Sequence, residues 1–250
     1  MQDIYIGDEG KGLPLVLVHG FLGSSKMWEP QIDFFKDRFR VITPDLPGFG
    51  KSNEVKSHNS IQSIANLLLN CLEEKKIDKF YLLGHSMGGM IVQEMAKKDG
   101  DKILKLVCYS TGPRGEMPGR FETVEQSREN LKKSGLEITA KNIAKTWFIK
   151  GEDAKYFDRC IEAGKQTSME TADNSLFAIK NWNGVDTLKD IKNETLIIWG
   201  DQDKSYNLEQ IQTLKNNIEN SKLIIFKNCA HNIHLEQPDQ FNHAIKNFLL

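Results

Sequence analysis

The sequence predicts an α/β protein: a mainly parallel central sheet with helices on both faces and a helical insertion. Three observations predict it. Short Val-, Ile- and Leu-rich runs bounded by Gly, Asp or Pro recur along the 250 residues and read as buried strands. Segments with apolar residues three and four apart lie between them. The alternation then breaks between about residues 110 and 190, where helical patterns continue without a strand pattern. Strands that alternate with helices pair in parallel, because the helix is the crossover, and such a sheet is covered on both faces.

In chain order, the strands are expected at Leu15-Val16-Leu17-Val18, Val41-Ile42-Thr43, Phe80-Tyr81-Leu82-Leu83, Leu104-Lys105-Leu106-Val107-Cys108, Leu196-Ile197-Ile198-Trp199 and Leu223-Ile224-Ile225-Phe226. The region before Leu15 has room for one more. Helices are expected where Ile61, Ile64, Leu68 and Leu72 share a face, and again at Leu208, Ile211, Leu214 and Ile218. Pro238 suits a first helical position, with Phe241, Ala244, Ile245 and Phe248 following on one side. The insertion holds Phe121, Leu131, Trp147, Phe148, Phe157, Leu176, Phe177 and Trp182. It reads as a cap on one domain, with core 1–110 and 190–250 and cap about 111–189. The Pro/Gly-rich stretch 111–119 is the expected hinge.

Composition narrows the function classes. With 39% hydrophobic and 27% charged residues and a net charge of −1, the chain has no basic footprint for nucleic acid. Its N-terminus lacks the pattern of a signal peptide, and no apolar run approaches the roughly 20 residues that cross a bilayer. Cys71, Cys108, Cys160 and Cys229 are scattered without a C-x-x-C pair. They are expected as buried thiols, in keeping with a cytoplasmic location and no membrane partner. No cluster of His, Cys, Asp and Glu has zinc-site spacing, so neither metal nor cofactor is expected.

The chemistry concentrates in Gly84-His85-Ser86-Met87-Gly88-Gly89, which follows a strand and opens an apolar helical run. A G-x-S-x-G in that context is a nucleophile elbow: the tight turn lifts the serine hydroxyl clear of the sheet at a helix N-terminus. Serine needs a base to take its proton, and the base needs a carboxylate to orient it. Gly200-Asp201-Gln202-Asp203 supplies two acids at the end of one strand. The segment after the next strand supplies two histidines, His231 and His234. Position along the chain chooses within neither pair. An oxyanion hole takes one N–H from the residue after the serine, Met87, and one from the loop after the first buried strand, Phe21.

Other motifs fail. Gly50-Lys51-Ser52 ends like a P-loop, but Asp45 stands where that motif needs glycine; Gly48-Phe49-Gly50 opens like a dinucleotide fingerprint, but Asn53 replaces the third glycine. This segment is expected to shape the core near the site. His19 and His85 flank the catalytic backbone and are expected in structural or pocket-lining roles; Trp28 and Trp199 are expected as core aromatics.

Together, His19-Gly20 followed by an apolar residue, Asp45-Leu46-Pro47-Gly48-Phe49-Gly50-Lys51-Ser52, the elbow, Gly200-x-x-Asp203 and His231-x-x-x-x-Glu236-x-Pro238 resemble the α/β-hydrolase superfamily. The chain is most similar to its enol-lactonase-like, carboxylesterase and meta-cleavage-product hydrolase branches. The resemblance spans nearly all of the chain except the cap. It implies a Ser86, His231, Asp203 triad, with the acid on the fourth position of its motif and the base five residues before Glu236. One departure is Ala230 where the family usually has glycine. Asp-nucleophile branches, the haloalkane dehalogenases and epoxide hydrolases, are excluded by Ser86. The implied activity is hydrolysis of a small carboxylic ester or lactone. Alternatives are C–C bond hydrolysis of a dienone and a slow-turnover ligand sensor. Arg114 and Arg120, in the hinge, are candidates for binding a substrate carboxylate.

Overall fold

The computed structural model describes residues 3–116 and 118–250; within the expected hinge, Met117 lies outside the described residues. Seven strands form one sheet in the order β1-β3-β2-β4-β5-β6-β7: β1 (Ile6–Glu9), β2 (Pro14–Val18), β3 (Arg40–Pro44), β4 (Phe80–His85), β5 (Ile103–Tyr109), β6 (Thr195–Gly200) and β7 (Ser221–Phe226). Only β1 is antiparallel, pairing with β3. The remaining pairs are parallel, with Leu15 opposite Tyr81 in β2–β4 and Leu83 opposite Val107 in β4–β5. The sequence-based expectation of a mainly parallel sheet holds, and the space before Leu15 is filled by the single strand β1.

Side chains alternate across each strand, so one strand feeds two cores. In β2, Val16 and Val18 join the cluster that contains Ile64, Leu68, Ile91 and Leu214. Leu15 and Leu17 join the opposite one, with Trp28, Ile32, Phe35, Phe241 and Ile245. Aliphatic side chains buried this completely each stabilise by about 1.5–3 kcal/mol, which is why the central strands read as continuous apolar runs. β7, at the edge, leaves Ile224 and Ile225 partly exposed.

The helices are α1 (Glu29–Phe35), α2 (Ile61–Glu74), α3 (Met87–Asp99), α4 (Val124–Lys145), α5 (Phe157–Lys165), α6 (Met169–Asn181), α7 (Leu208–Asn217), α8 (Ile233–Glu236) and α9 (Pro238–Leu249). Ser60 caps α2 by accepting the Ser63 N–H, and Pro238 opens α9 at a position with no N–H to satisfy. α1 escapes sequence-based expectation: it has seven residues and buries only Ile32 and Phe35 among its apolar side chains, too short a run for periodicity. Helices α4, α5 and α6 lie between β5 and β6, with α4 broken at Gly135 (φ +80°). The two chain crossings into and out of this insertion run side by side. Gly115 N–H donates to Trp182 O (3.0 Å), and Gly184 N–H to Pro113 O (2.8 Å). Trp182 Nε1–H also reaches buried Glu94 of α3 (2.8 Å). Among the described residues no helix is long and apolar enough to cross a membrane. All four cysteines are buried and unpaired.

Candidate active site

Strand β4 ends at His85 and α3 begins at Met87, so Ser86 alone makes the turn, at φ +56° and ψ −117°. A non-glycine residue held in such a region costs about 1–3 kcal/mol and persists because its surroundings fix it. Ser86 N–H donates to Tyr109 O of β5 (2.9 Å), while its carbonyl accepts from Gly89 N–H (2.9 Å) and Thr111 Oγ1 (2.8 Å). A Cβ at Gly84 would strike the Gly88 carbonyl, and one at Gly88 the Val18 carbonyl. The flanking glycines are thus the condition for strand, turn and helix to approach so closely.

The edge formed by β6 and β7 contributes the acid and the histidine. Asp203 Oδ2 lies 2.9 Å from His231 Nδ1, and the side chains are 0% and 2% exposed. Asp203 Oδ1 accepts the N–H groups of Ser205 (2.7 Å) and Tyr206 (3.3 Å), which hold the carboxylate in place. A carboxylate only accepts, so Nδ1 carries the proton, and in the neutral ring Nε2 is then the basic nitrogen. Of the two acids and two histidines left open by position, these are the two that meet. Asp201 instead accepts Asn228 N–H (2.8 Å) and pairs with Lys227 (3.6 Å). His234 is fully buried beside Trp28 and the Tyr109 hydroxyl (2.9 Å), and burial pushes its pKa down to about 3.

The neighbouring groups brace the histidine loop. The His231 carbonyl accepts from Tyr109 Oη–H (3.0 Å) and His85 Nε2–H (3.2 Å). His85 is held well below its ordinary pKa by burial and then by repulsion from His231, so it stays neutral. Glu236 accepts Ala230 N–H (2.7 Å) with one oxygen and Ile149 N–H (2.8 Å) with the other. It ties the histidine loop to the inserted helices, which explains a glutamate at that spacing.

His19 positions the loop that follows β2. Its Nε2 accepts Leu46 N–H (3.0 Å), so Nδ1 carries the proton and donates to Gly20 O (2.8 Å). The N–H groups of Phe21 and Met87 have no acceptor among the described residues. The Asp45–Ser52 segment is a structural loop: Asp45 accepts the N–H groups of Ser25 and Lys51, and Ser52 Oγ–H donates to Asp45 O.

Ser86, His231 and Phe21 line one cavity of about 30 Å³ together with Arg120, Ser205, Tyr206 and three residues of the insertion, Ile143, Trp147 and Ile179. Tyr206 stacks on His231 at an interplanar angle of 13°. Burial pushes its phenol up to about 12, opposed by hydrogen bonding to the Ser86 and Thr111 hydroxyls, so it remains a donor. Among the described residues His231 makes its side-chain hydrogen bond to Asp203 alone; the Ser86 hydroxyl lies beside the Tyr206 phenol. Sequence reasoning places Trp147 in the insertion but assigns neither it nor Tyr206 to the site. The signal for Tyr206 was its place three residues beyond Asp203 on the same strand-end loop. Arg114 bridges to Asn183 and does not line this cavity; Arg120 does.

The family model for the alpha/beta hydrolase fold matches residues 14–238. The chain is 26% identical to the (E)-2-((N-methylformamido)methylene)succinate hydrolase of Acinetobacter baylyi, over 97% of this chain and 92% of the relative. It is 28% identical to the pimeloyl-acyl-carrier-protein methyl ester esterase of Legionella pneumophila, over 99% of this chain and 100% of the relative. A thermophilic esterase from Thermogutta terrifontis, solved with malate bound, superposes with a TM-score of 0.88 at 25% identity, covering 98% of this chain and 92% of that one. With the family model spanning all but the two ends of the chain, this protein belongs to the α/β-hydrolase family.

Proposed function

We propose that the chain hydrolyses a small carboxylic ester or lactone through an acyl-enzyme, with Ser86 as nucleophile, His231 as base and Asp203 as the carboxylate that steadies it. The observation that carries this reading is the Asp203–His231 hydrogen bond of 2.9 Å beside a cavity shared by His231 and Ser86. The strained Ser86 backbone supports it, since such strain collects at functional sites. An esterase and a hydrolase among the relatives support the bond type.

In this mechanism His231 Nε2 removes the Ser86 proton as Oγ attacks the carbonyl carbon. The Phe21 and Met87 N–H groups receive the oxyanion, and Asp203 stabilises the imidazolium. His231 then protonates the leaving alcohol, and water repeats the steps on the acyl-enzyme. Ser86 Oγ turns from Tyr206 toward His231 when substrate arrives; catalytic hydrogen bonds of this kind commonly tighten only in the complex. The chain acts as one domain, with 1–110 and 190–250 as the catalytic core and 111–189 as its cap.

The test is Ser86→Ala on a p-nitrophenyl ester panel, with a fluorophosphonate label on the unmodified enzyme. The label should map to Ser86, and kcat should fall by roughly 10⁴-fold or more. A variant that keeps most of its activity would end the proposal.

A further inference from the structure

The cavity beside Ser86 contains a cation for which the ester-cleaving steps have no use. Arg120 is mostly buried and lines the same wall as Ser86, Tyr206 and His231. Its Nη1 donates to Glu122 O (2.6 Å) and Ser127 Oγ (3.2 Å). Nε–H and Nη2–H, the edge that forks onto a carboxylate, have no acceptor among the described residues. The adjacent carboxylate, Glu122, is turned to Ser127 and Asn130. Phe121 lies under the guanidinium, 4.3 Å from it.

Withdrawing most of a guanidinium from water carries a desolvation cost, and among the described residues no carboxylate oxygen is hydrogen-bonded to it. That cost is consistent with a site completed by an anion from outside. The position is also held firmly. Phe121 N–H donates to Lys204 O (2.9 Å) and Asn207 Nδ2–H to Pro118 O (2.9 Å), so the segment on each side of Arg120 is fastened to the loop that carries Asp203. Arg120 therefore keeps its place relative to the acid loop even when α4 to α6 shift. Preorganisation of this kind lets an ionic contact select a substrate without paying to assemble the site.

We propose that Arg120 receives a carboxylate on the substrate, making the natural ester a monoanion whose charged group lies a few bonds from the scissile carbonyl. This rests on the reading of Ser86 as nucleophile and adds a substrate class to it. The guanidinium contributes to binding, so its effect falls mainly on KM.

Two matched pairs, each exchanging a terminal carboxylate for a methyl group, test the proposal: mono-p-nitrophenyl glutarate against p-nitrophenyl pentanoate, and the acetate esters of 4-hydroxybutyrate and of butanol. The first places the charge on the acyl side and the second on the alcohol side. In one pair, the unmodified enzyme should favour the anion in kcat/KM by roughly 10- to 100-fold, the scale of a hydrogen-bonded charge. Arg120→Met should bring that ratio close to one through KM, and Arg120→Lys should retain part of it. No preference in either pair overturns the proposal, and so does an equal loss on both members of the favoured pair in Arg120→Met. Should Arg120→Met fail to fold, the unmodified enzyme and Arg120→Lys still decide. Ser86→Ala separates the two readings: turnover that survives it sinks the nucleophile assignment, whereas an unmoved ratio with turnover abolished sinks only the role of Arg120.

Discussion

The sheet edge that carries Ser86, Asp203 and His231 and the inserted helices above it are built on different principles. At the edge, backbone groups are fixed by strand ends and buried neutral partners such as Tyr109, His85 and His19. In the insertion, Leu131, Ile143, Trp147, Phe157 and Leu176 pack into the main hydrophobic cluster, and partly exposed ion pairs are added on its surface: Arg128–Asp173, Lys180–Glu125 and Lys141–Glu152. Exposed pairs contribute about 0–1 kcal/mol each, and none of the chain's six histidines lies within 111–189. The comparison teaches that the candidate site is placed by directional hydrogen bonds at a sheet edge, while the helices above it are placed by apolar packing with ion pairs at their surface.

Acid should break this comparison most visibly. His19, His85 and His234 have pKa values lowered chiefly by burial, so the unfolded chain takes up their protons first. Their stability contribution is complete above pH 6.5 and is lost as pH falls from there, for His234 down to about 3. The carboxylates of the insertion, Glu125, Asp173 and Glu152, have lowered pKa values from their Lys and Arg partners, so their contribution is complete above the ordinary carboxylate range and is lost as pH falls through and below it. Unfolding free energy measured between pH 7 and 5 should therefore fall, with a slope of up to about 1.4 kcal/mol per pH unit for each such histidine. His234→Phe should flatten that slope, whatever it costs at pH 8. An unchanged slope would remove His234 from the account.

Glu236→Ala should come next, because it strips the acceptor from two backbone N–H groups at the seam between the regions. We expect about 1–3 kcal/mol of lost stability by denaturant titration and a kcat/KM reduced roughly 10-fold as His231 loses its brace. A loss of stability without loss of activity would show that the seam does not set the histidine. The smallest effect should be Gly135→Ala in the broken helix α4. No atom outside its chain neighbours and its own helix backbone lies within 4 Å of the added methyl, so the cost is backbone strain at a positive φ, and turnover of a small ester should stay within roughly twofold.

The same contrast explains what was legible beforehand. The sheet was readable because β2, β4 and β6 are buried on both sides along most of their length and so run as nearly unbroken apolar stretches. Ser86 announces itself because steric contact at Gly84 and Gly88 constrains the residues on either side of the turn. The pairing of Asp203 with His231 rather than Asp201 with His234 was not readable from position, since all four sit at one sheet edge. Only resemblance chose between them, and in the structure Asp203 and His231 are the pair in contact. The choice of Arg120 over Arg114, and the place of Tyr206, are not readable for another reason: lining a cavity depends on where a loop folds back, and no periodicity records that.

The tightness of the chamber beside Ser86 has a kinetic consequence. At about 30 Å³ it has room for a water molecule or two, so the ester of the proposed reaction fits only if side chains move. Ile143, Trp147 and Ile179, which line it from the insertion, are the side chains whose movement would make that room. On that reading, slender esters should be taken in preference to bulky ones of equal intrinsic reactivity.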